Sequence, residues 1–355
     1  MSYTFISMPV KPSSKEHVGT VIAPVLCDYL GDVFTNFQSH KIITVNLLHS
    51  YDNRDKFLNH YLNSIDKLGI KYDEILKDKD LCNKILDSIY NMVELGIIKE
   101  TKEKILRCQC GRVELSRQGV RVKNNASLYH IDKEKMICNY CKSECCEYIE
   151  NILYIPIDKD KIDDTLVNPL FLKKCVNGKI NDIGNSKFII SKLRDTGCLI
   201  NYCGNNYYID IDFMWMNMFR FINSDNKILI SGNKQSLKLF YINYIYSIYY
   251  KEKINFLMHP ILKNVDNGIF NSHSNYLVKR LAILFNLSWN RESCLWNSQI
   301  EEYLNKLSSK QLHELYENMI TISNESINSK YDLCKMIDLV LKHNTNFQKV
   351  KSFIR

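Results

Sequence analysis

The segment His17-Val18-Gly19-Thr20 combines residue types that suit the binding of a phosphate. It lies between Tyr3–Ser7, a run of β-formers that predicts a strand, and apolar residues at helical spacing from Val21 onward. A helix that begins here would present unpaired N–H groups and the positive end of its dipole to an anion. His17 would add a donor, and Gly19 would let a flat base come close. The alternative is an ordinary strand-to-helix turn with a histidine on the surface.

A second unit of strand, turn and helix recurs later in the chain. Lys227–Ser231 predicts a strand, Gly232-Asn233-Lys234 a turn, and residues from about 235 to 250 a helix. Asn255–His259 predicts another strand. Before this unit, Tyr207–Trp215 is rich in aromatic residues, which line a pocket or, as is commoner, belong to the core.

Charged residues follow another predicted strand. Lys41–Ser50 is rich in β-branched residues and predicts a buried parallel strand that leads into Tyr51–Asp55. Open α/β folds bind ligands at the carboxyl edge of the sheet, where Asp52 can hold a substrate ammonium. Helix capping by Asp52 and Asp55 explains the same residues equally well. Helices are predicted over about 55–68, 80–95 and 99–106. From about residue 276 to the end, the spacing of apolar residues predicts helices almost throughout.

Two pairs of cysteines have a spacing that suits tetrahedral zinc. The predicted ligands are Cys108, Cys110, Cys138 and Cys141. Each pair lies on a tight turn and can place two thiolates near one point. Such a site is structural, because protein would fill all four positions and leave no water to activate. Two exposed, reduced pairs are the alternative. Further candidate ligands are Cys145, Cys146 and His130.

The composition limits the class of protein. The chain has 355 residues, of which 45% are hydrophobic, enough for a sizeable core. A net charge of +8 is compatible with an anionic partner such as a nucleotide or tRNA, but the interspersed acidic residues fit a mixed-charge surface equally well. Residues 1–30 lack a basic head followed by an apolar block, and thirteen cysteines without a leader indicate reduced thiols. A cytoplasmic protein that does not enter a membrane is therefore expected.

The order and spacing of these segments resemble the catalytic region of class I aminoacyl-tRNA synthetases, most closely the methionyl type, over roughly residues 3–285. His17-Val18-Gly19-Thr20 corresponds to the HIGH signature of that family, and the cysteine segment lies where the methionyl type carries a zinc knuckle. Ile230–Lys234 is similar to the family's strand ending in Gly-Lys-Asp. His259 has the spacing of the family's His-Gly strand, and Phe270–Ser274 falls where the KMSKS loop belongs.

The KMSKS-like segment departs from the family pattern because it has lost both lysines. Asn271 and Ser272 are followed by His273, where the second lysine would stand. That lysine stabilises the pyrophosphate leaving group in the family, and removal of a charge from a phosphate clamp typically lowers the rate by about 10²–10³-fold. Protonated His273 would substitute in part, and Lys263 and Lys279 are alternative cations.

The resemblance implies an α/β fold of the Rossmann-like, HUP-type kind, with a parallel nucleotide-binding sheet in two halves. A zinc-knuckle insert would lie between the halves, and an α-helical domain would follow them. The expected boundaries are 1–106 for the first half, 107–180 for the insert, 181–285 for the second half and 286–355 for the helical domain. Details at His49–Asp52 and Leu68–Asp73 are more similar to the lysyl and arginyl branches.

The resemblance also implies a reaction and a set of site residues. An amino-acid carboxylate would attack the α-phosphate of ATP, with Mg²⁺, and the aminoacyl group would pass from the adenylate to tRNA or a small amine. The implied catalytic residues are His17, Thr20 and His273. The implied ATP-binding residues are Pro9, His17, Gly19, Thr20, Gly232, Asn233, Lys234, His259, Asn271, Ser272 and Ser274. The implied amino-acid-binding residues are Asp52 and Trp215.

The unusual loop and the short C-terminal region favour a stand-alone paralogue over a housekeeping synthetase. Two alternatives belong to other classes. One is a catalytically degenerate synthetase-like protein that binds tRNA, a nucleotide or a partner enzyme. The other is a zinc-knuckle protein that binds nucleic acid and has an unrelated α/β fold.

Overall fold

The protein is built around a parallel sheet of six strands. The structure, a computed structural model, describes residues 2–13, 17–48, 55–111, 113–116, 119–120, 129–161, 167–168, 186–192, 198–265, 275–289 and 293–327. The strands are β1 (Tyr3–Ser7), β2 (Ser39–Val45), β3 (Glu74–Lys77), β4 (Lys99–Arg107), β5 (Glu114–Ser116), β6 (Gly119–Val120), β7 (Tyr129–Asp132), β8 (Lys135–Cys138), β9 (Cys146–Ile157), β10 (Val167–Asn168), β11 (Ser186–Ile189), β12 (Ser191–Lys192), β13 (Cys198–Tyr202), β14 (Asn205–Ile209), β15 (Lys227–Gly232), β16 (Ile254–His259), β17 (Ile261–Lys263) and β18 (Ser293–Leu295). The helices are α1 (Val18–Val33), α2 (Asp55–Lys67), α3 (Cys82–Glu94), α4 (Ile211–Met216), α5 (Ser236–Ile245), α6 (Tyr276–Asn286), α7 (Ser298–Leu304) and α8 (Ser309–Ile327).

The order of strands in the central sheet is β10-β16-β15-β1-β2-β3, and all neighbours are parallel. β1 therefore lies between a strand from early in the chain and one from late in the chain. In open α/β sheets a crevice forms outside the carboxyl ends of the strands at such a point. The predicted two-half parallel sheet is confirmed, with strands at the expected positions in both halves.

Side chains of the central strands enter two cores on opposite faces of the sheet. On β15, Ile228 and Ile230 belong to one core and Leu229 belongs to the other. The first core contains α1, α2 and the C-terminal helices, and the second contains α3, α4 and α5. Strands covered on both faces are apolar almost throughout, which explains why these segments were recognisable as strands.

The predicted helix at 99–106 is wrong, because this segment forms β4. β4 pairs antiparallel with β9 along its whole length, in a five-stranded sheet of order β5-β4-β9-β11-β6. Its Lys and Glu residues favour helix locally, but Glu103 and Ile105 face inward at alternate positions. The buried Glu103 carboxylate lies 3.2 Å from Nζ of Lys187 on β11. Pairing with a distant strand thus overrides the local preference.

The C-terminal part is mainly helical as far as it is described. Helices α6, α7 and α8 pack into the first core, and β18 pairs in parallel with β17 between α6 and α7. Among the described residues, no helix has the length and hydrophobicity needed to cross a membrane.

A buried ion-pair network joins α1 to the rest of the protein. Asp28 on α1 is fully buried, and its carboxylate lies 2.8 Å from Nζ of Lys41 on β2 and 2.7 Å from Nη2 of Arg280 on α6. Arg280 also donates to the hydroxyl of Tyr316 on α8, at 2.6 Å. Burial lowers the pKa of Lys41, but its hydrogen bonds and charge interactions with Asp28 and Asp32 together outweigh this and raise the pKa. One carboxylate therefore fixes α1 against a strand and two helices.

Replacement of Asp28 by Ala is expected to lower the free energy of unfolding by about 3–5 kcal/mol, because it leaves the buried Arg280 without its carboxylate and Lys41 with Asp32 as its one remaining partner among the described residues. Denaturant unfolding would measure the loss. Glu314→Ala is the matched control, since it removes a carboxylate from an exposed pair with Lys310 and should leave stability nearly unchanged. Equal effects of the two substitutions would contradict a central role for Asp28.

Candidate functional site

A cavity of about 550 Å³ lies at the carboxyl edge of the parallel sheet. Its wall includes residues that follow β1, Asn46 after β2, Gly232 at the end of β15 and His259 at the end of β16. The N-terminus of α1 also lines it. The position and volume are those of a small-molecule site in an open α/β fold.

Many of the residues predicted from the sequence lie together in this wall. They are Pro9, His17, Gly19, Thr20, Trp215, Gly232 and His259. Asn233 and Lys234 begin the short 3₁₀ helix that directly follows Gly232. Of the two alternative lysines, Lys263 lines the cavity, whereas Lys279 is buried on α6. The remaining predicted residues lie outside the described part of the chain: Asp52, Asn271, Ser272, His273 and Ser274.

His17 is the N-cap of α1, and its ring accepts a hydrogen bond from the helix backbone. Nδ1 accepts from the N–H of Gly19 at 2.9 Å. Nδ1 must be unprotonated to accept, so the neutral ring of His17 carries its proton on Nε2. The donor that His17 offers to a ligand is therefore Nε2–H.

The hydrogen bonds of this turn give Gly19 and Thr20 roles that the sequence did not reveal. The Thr20 hydroxyl donates to the carbonyl oxygen of His17 at 2.6 Å, so the oxygen of that hydroxyl can only accept from a ligand. The N–H of Gly19 is likewise used within the turn. A Cβ atom on Gly19 would lie 2.9 Å from Cε1 and Nδ1 of His17, so the imidazole itself requires glycine here.

His259 is buried and neutral. Burial lowers its pKa to about 4, and its Nδ1 lies 2.9 Å from the carbonyl oxygen of Pro260, to which an Nδ1–H group donates. This tautomer leaves Nε2 as an acceptor. A Cβ atom on Gly232 would lie 3.2 Å from Cε1 of His259, so the two residues pack closely at the ends of neighbouring strands.

A cluster of charged residues lines another part of the cavity, and sequence reasoning missed it apart from Trp215. Asp212 on α4 accepts from Nε1–H of Trp215 at 2.9 Å and lies 2.9 Å from Nζ of Lys238 on α5. Burial tends to raise the pKa of Asp212, but the nearby lysines, above all Lys238, hold it well below its usual range. Lys11, which follows β1, belongs to the same cluster and also lines the cavity.

Asn46 is a second residue that sequence reasoning missed. It is 1% exposed and lines the cavity, yet its side-chain oxygen has no hydrogen-bond partner among the described residues. Its N–H donates to the carbonyl oxygen of Val10 at 2.9 Å, which extends the pairing of β1 and β2. The N–H of Leu47 donates to Asp78 at 2.6 Å, which fixes the next residue as well. A buried acceptor held in this way is a site for a donor on a ligand.

The four predicted zinc ligands come together where the end of β4 meets the end of β8. The sulfur atoms of Cys108, Cys110, Cys138 and Cys141 all lie within 4.8 Å of one another. Zn–S bonds of about 2.3 Å in a tetrahedron place sulfur atoms about 3.8 Å apart. Sγ of Cys110 and Sγ of Cys138 lie at 3.8 Å. The geometry therefore fits a structural metal with four thiolate ligands.

The environment of the thiols also fits zinc. A hydrogen bond with the hydroxyl of Ser143 lowers the pKa of Cys141 to about 5, which favours the thiolate that binds metal. The N–H of Val113 donates to Sγ of Cys108 at 3.3 Å. Burial instead raises the pKa of Cys145 to about 11, so it stays a thiol beside the cluster. His130 contacts Asn139 rather than the cysteines.

The fold of this chain is similar to that of solved structures. No protein-family model matches the sequence, and no curated protein is similar to it in sequence. A structure of Mycobacterium tuberculosis methionyl-tRNA synthetase bound by methionyl-adenylate matches with a TM-score of 0.66 and 11% identity, over 92% of this chain and 73% of that one. This chain has the fold of methionyl-tRNA synthetase. The cluster of four cysteines and the cavity described above therefore lie in a chain with this fold.

Two further structures of the same Mycobacterium tuberculosis enzyme match equally well. A complex with methionyl-adenylate has a TM-score of 0.66 and 10% identity, over 94% of this chain and 75% of that one. The free state also matches with a TM-score of 0.66 and 10% identity, over 96% of this chain and 78% of that one. The synthetase fold therefore spans nearly the whole chain.

Purified protein is expected to contain about one zinc ion per chain, and Cys138→Ser should lose the metal and lower the melting temperature. The reason is that a four-thiolate site loses a buried ligand and cannot close its tetrahedron. Elemental analysis and thermal unfolding would measure both effects. Cys146→Ser is the control, because Cys146 is exposed and outside the cluster. A metal-free wild-type protein of full stability would refute the site.

Asp78 is expected to make stability depend on pH. Burial raises its pKa to about 6 in the folded state, against about 3.9 in an unfolded chain. Because the folded state then binds the proton more tightly, the free energy of unfolding falls as pH rises from 4 through 6, by about 3 kcal/mol in all. Asp78→Asn keeps an acceptor for the N–H of Leu47 and should remove this fall.

Chemical denaturation at pH 4, 5, 6 and 7 would test this. Asp80→Asn is the control, since that side chain is 64% exposed. Parallel pH profiles for the wild type and Asp78→Asn would show that Asp78 is not the group responsible.

Proposed function

We propose that this protein activates an amino acid with ATP and transfers the aminoacyl group to tRNA or a small amine. A carboxylate oxygen of the amino acid attacks the α-phosphorus of ATP, and the bond between the α-phosphorus and the bridging oxygen breaks. The products are an aminoacyl-adenylate and pyrophosphate, which leaves with the bond's electron pair. The acceptor then attacks the acyl carbon and releases AMP.

The observation that carries the proposal is the cavity at the carboxyl edge of a synthetase-fold sheet, with the capped N-terminus of α1 in its wall. Two of the structures with this fold are bound by methionyl-adenylate. Catalysis of this kind depends mainly on positioning and on stabilisation of phosphate charge. The dipole of α1 and Nε2–H of His17 are suited to that task.

The other cavity residues have chemistry that suits the two substrates. Neutral His259 offers Nε2 as an acceptor for a nucleoside hydroxyl or amino group, beside the open backbone of Gly232. The orphan oxygen of Asn46 is suited to accept from the α-ammonium of the amino acid, the role that the sequence resemblance gave to Asp52. Lys263 supplies a cation in the wall near the end of β17, and Mg²⁺ would accompany ATP. Zinc would hold the ends of β4 and β8 together and take no part in the reaction.

The test is ATP–pyrophosphate exchange with each of the twenty amino acids. Exchange is expected with at least one of them, and Gly19→Ala should lower it by about 10²-fold, because a Cβ there displaces His17. Gly204→Ala is the control, since Gly204 lies in the exposed turn between β13 and β14, away from the cavity, and a Cβ there meets nothing within 4 Å.

Two results would contradict the proposal. Equal exchange by wild type and Gly19→Ala would show that His17 is not needed in its observed position. No exchange with any amino acid, together with retained ATP or tRNA binding, would favour the degenerate synthetase-like protein instead. Salt-dependent binding to unstructured nucleic acid without any response to ATP would favour the zinc-knuckle binder.

A further inference from the structure

Four residues that line the cavity interact with one another, and we call them the lysine wall: Lys11, Asp212, Trp215 and Lys238. The two oxygens of Asp212 are both engaged within the protein, Oδ1 by Nε1–H of Trp215 and Oδ2 by Nζ of Lys238. The ammonium of Lys238 also lies 5.4 Å from the centre of the Trp215 ring. The one carboxylate of the wall is therefore already neutralised.

Lys11 supplies a positive charge that no ion pair neutralises, although the carboxylate of Asp78 acts on it from a distance. Behind the wall, Asp210 lies 3.0 Å from Nζ of Lys192, so it too is paired. Lys11 forms no ion pair with any carboxylate in the described part of the chain, and its side chain is exposed to the cavity. The surrounding protein lowers the pKa of Lys11 by burial, although Asp212 works against this. The ammonium of Lys11 is therefore open to a charge-assisted hydrogen bond with an anion that enters the cavity.

Lys11 lies next to Asn46 at the carboxyl edge of the sheet. It directly follows Val10, whose carbonyl accepts from the N–H of Asn46, so Lys11 lies beside the strand end of β2. It also acts electrostatically on Asp78 at the end of β3. Gly232 and His259 lie on the other side of β1, at the ends of β15 and β16, and Lys238 lies on the helix that follows Gly232. Lys11 is therefore the residue of the lysine wall that lies next to Asn46.

We propose that the amino acid activated here has a side chain that ends in a carboxylate, and that Lys11 in the lysine wall binds it. This inference rests on the proposed adenylate-forming function. The orphan oxygen of Asn46 takes the α-ammonium, and the neighbouring Lys11 takes the acid at the far end of the side chain. An acidic amino acid carries both groups within the reach of these two residues.

The same wall disfavours a neutral side chain. A thioether or alkyl group placed against Lys11 would remove water from its ammonium and supply no hydrogen bond in return. A cationic side chain would meet the excess positive charge of Lys11 directly, because Asp212 is already paired. The wall therefore selects an acidic side chain in two ways: it binds the carboxylate, and it makes the binding of neutral or cationic side chains unfavourable.

The test is ATP–pyrophosphate exchange with the twenty amino acids and 2-aminoadipate, followed by kinetics of Lys11→Met. Exchange is expected with aspartate, glutamate or 2-aminoadipate, and not with methionine. Lys11→Met should raise the KM for the acidic amino acid by about 10- to 100-fold, the effect of losing a charge-assisted hydrogen bond. The KM for ATP should change much less, because Lys11 lies next to Asn46 whereas Gly232 and His259 lie at the ends of β15 and β16.

Lys306→Met is the control, since it makes the same substitution at an exposed lysine that does not line the cavity. It should leave the KM for the acidic amino acid unchanged. Exchange with a neutral or basic amino acid alone would overturn this inference and leave the proposed function standing. A rise in the KM for ATP in Lys11→Met as large as that for the amino acid would also overturn it, and would assign Lys11 to phosphate. No exchange with any amino acid would overturn both.

Discussion

The buried carboxylate of Asp28 is the constraint on which the geometry of the site depends. A charge with no access to water must be neutralised where it lies, and here Lys41 on β2 and Arg280 on α6 do so. The N-terminus of α1 carries His17, so the same pairing that fixes the helix against β2 also sets where the imidazole stands relative to the sheet edge. A slip of α1 along the sheet would break two buried ion pairs at once.

Backbone groups beside the two histidines then determine what each ring can offer to a ligand. His17 caps its own helix, which fixes its tautomer, and Gly19 leaves the space that the ring needs. His259 is fixed in the opposite tautomer by the carbonyl oxygen of Pro260. The imidazole of His17 therefore presents a donor to the cavity and that of His259 presents an acceptor, although both residues are histidines. The difference comes entirely from the backbone group that each ring contacts.

The sequence predicted those parts of the molecule that a short segment of the chain specifies by itself. Both halves of the sheet, the turn at His17 and the cysteine pairs follow from periodicity and from ligand spacing within short segments. β4 was missed because its residues favour helix alone and become a strand only when β9 pairs with them. Lys11 and Asn46 were missed for a related reason: their importance arises where β1 and β2 end side by side, and no short segment contains both.

The distribution of cations links these observations. The family pattern concentrates lysines in one loop, and the corresponding segment here, Phe270–Ser274, has none. The described cavity instead receives lysines from three other places: the segment between β1 and α1, helix α5 and strand β17. Lys238 is paired with Asp212, whereas Lys11 has no carboxylate within ion-pair distance in the described part of the chain. Under the function that we propose, the lysine that the protein leaves without an internal partner sets the substrate preference of the site.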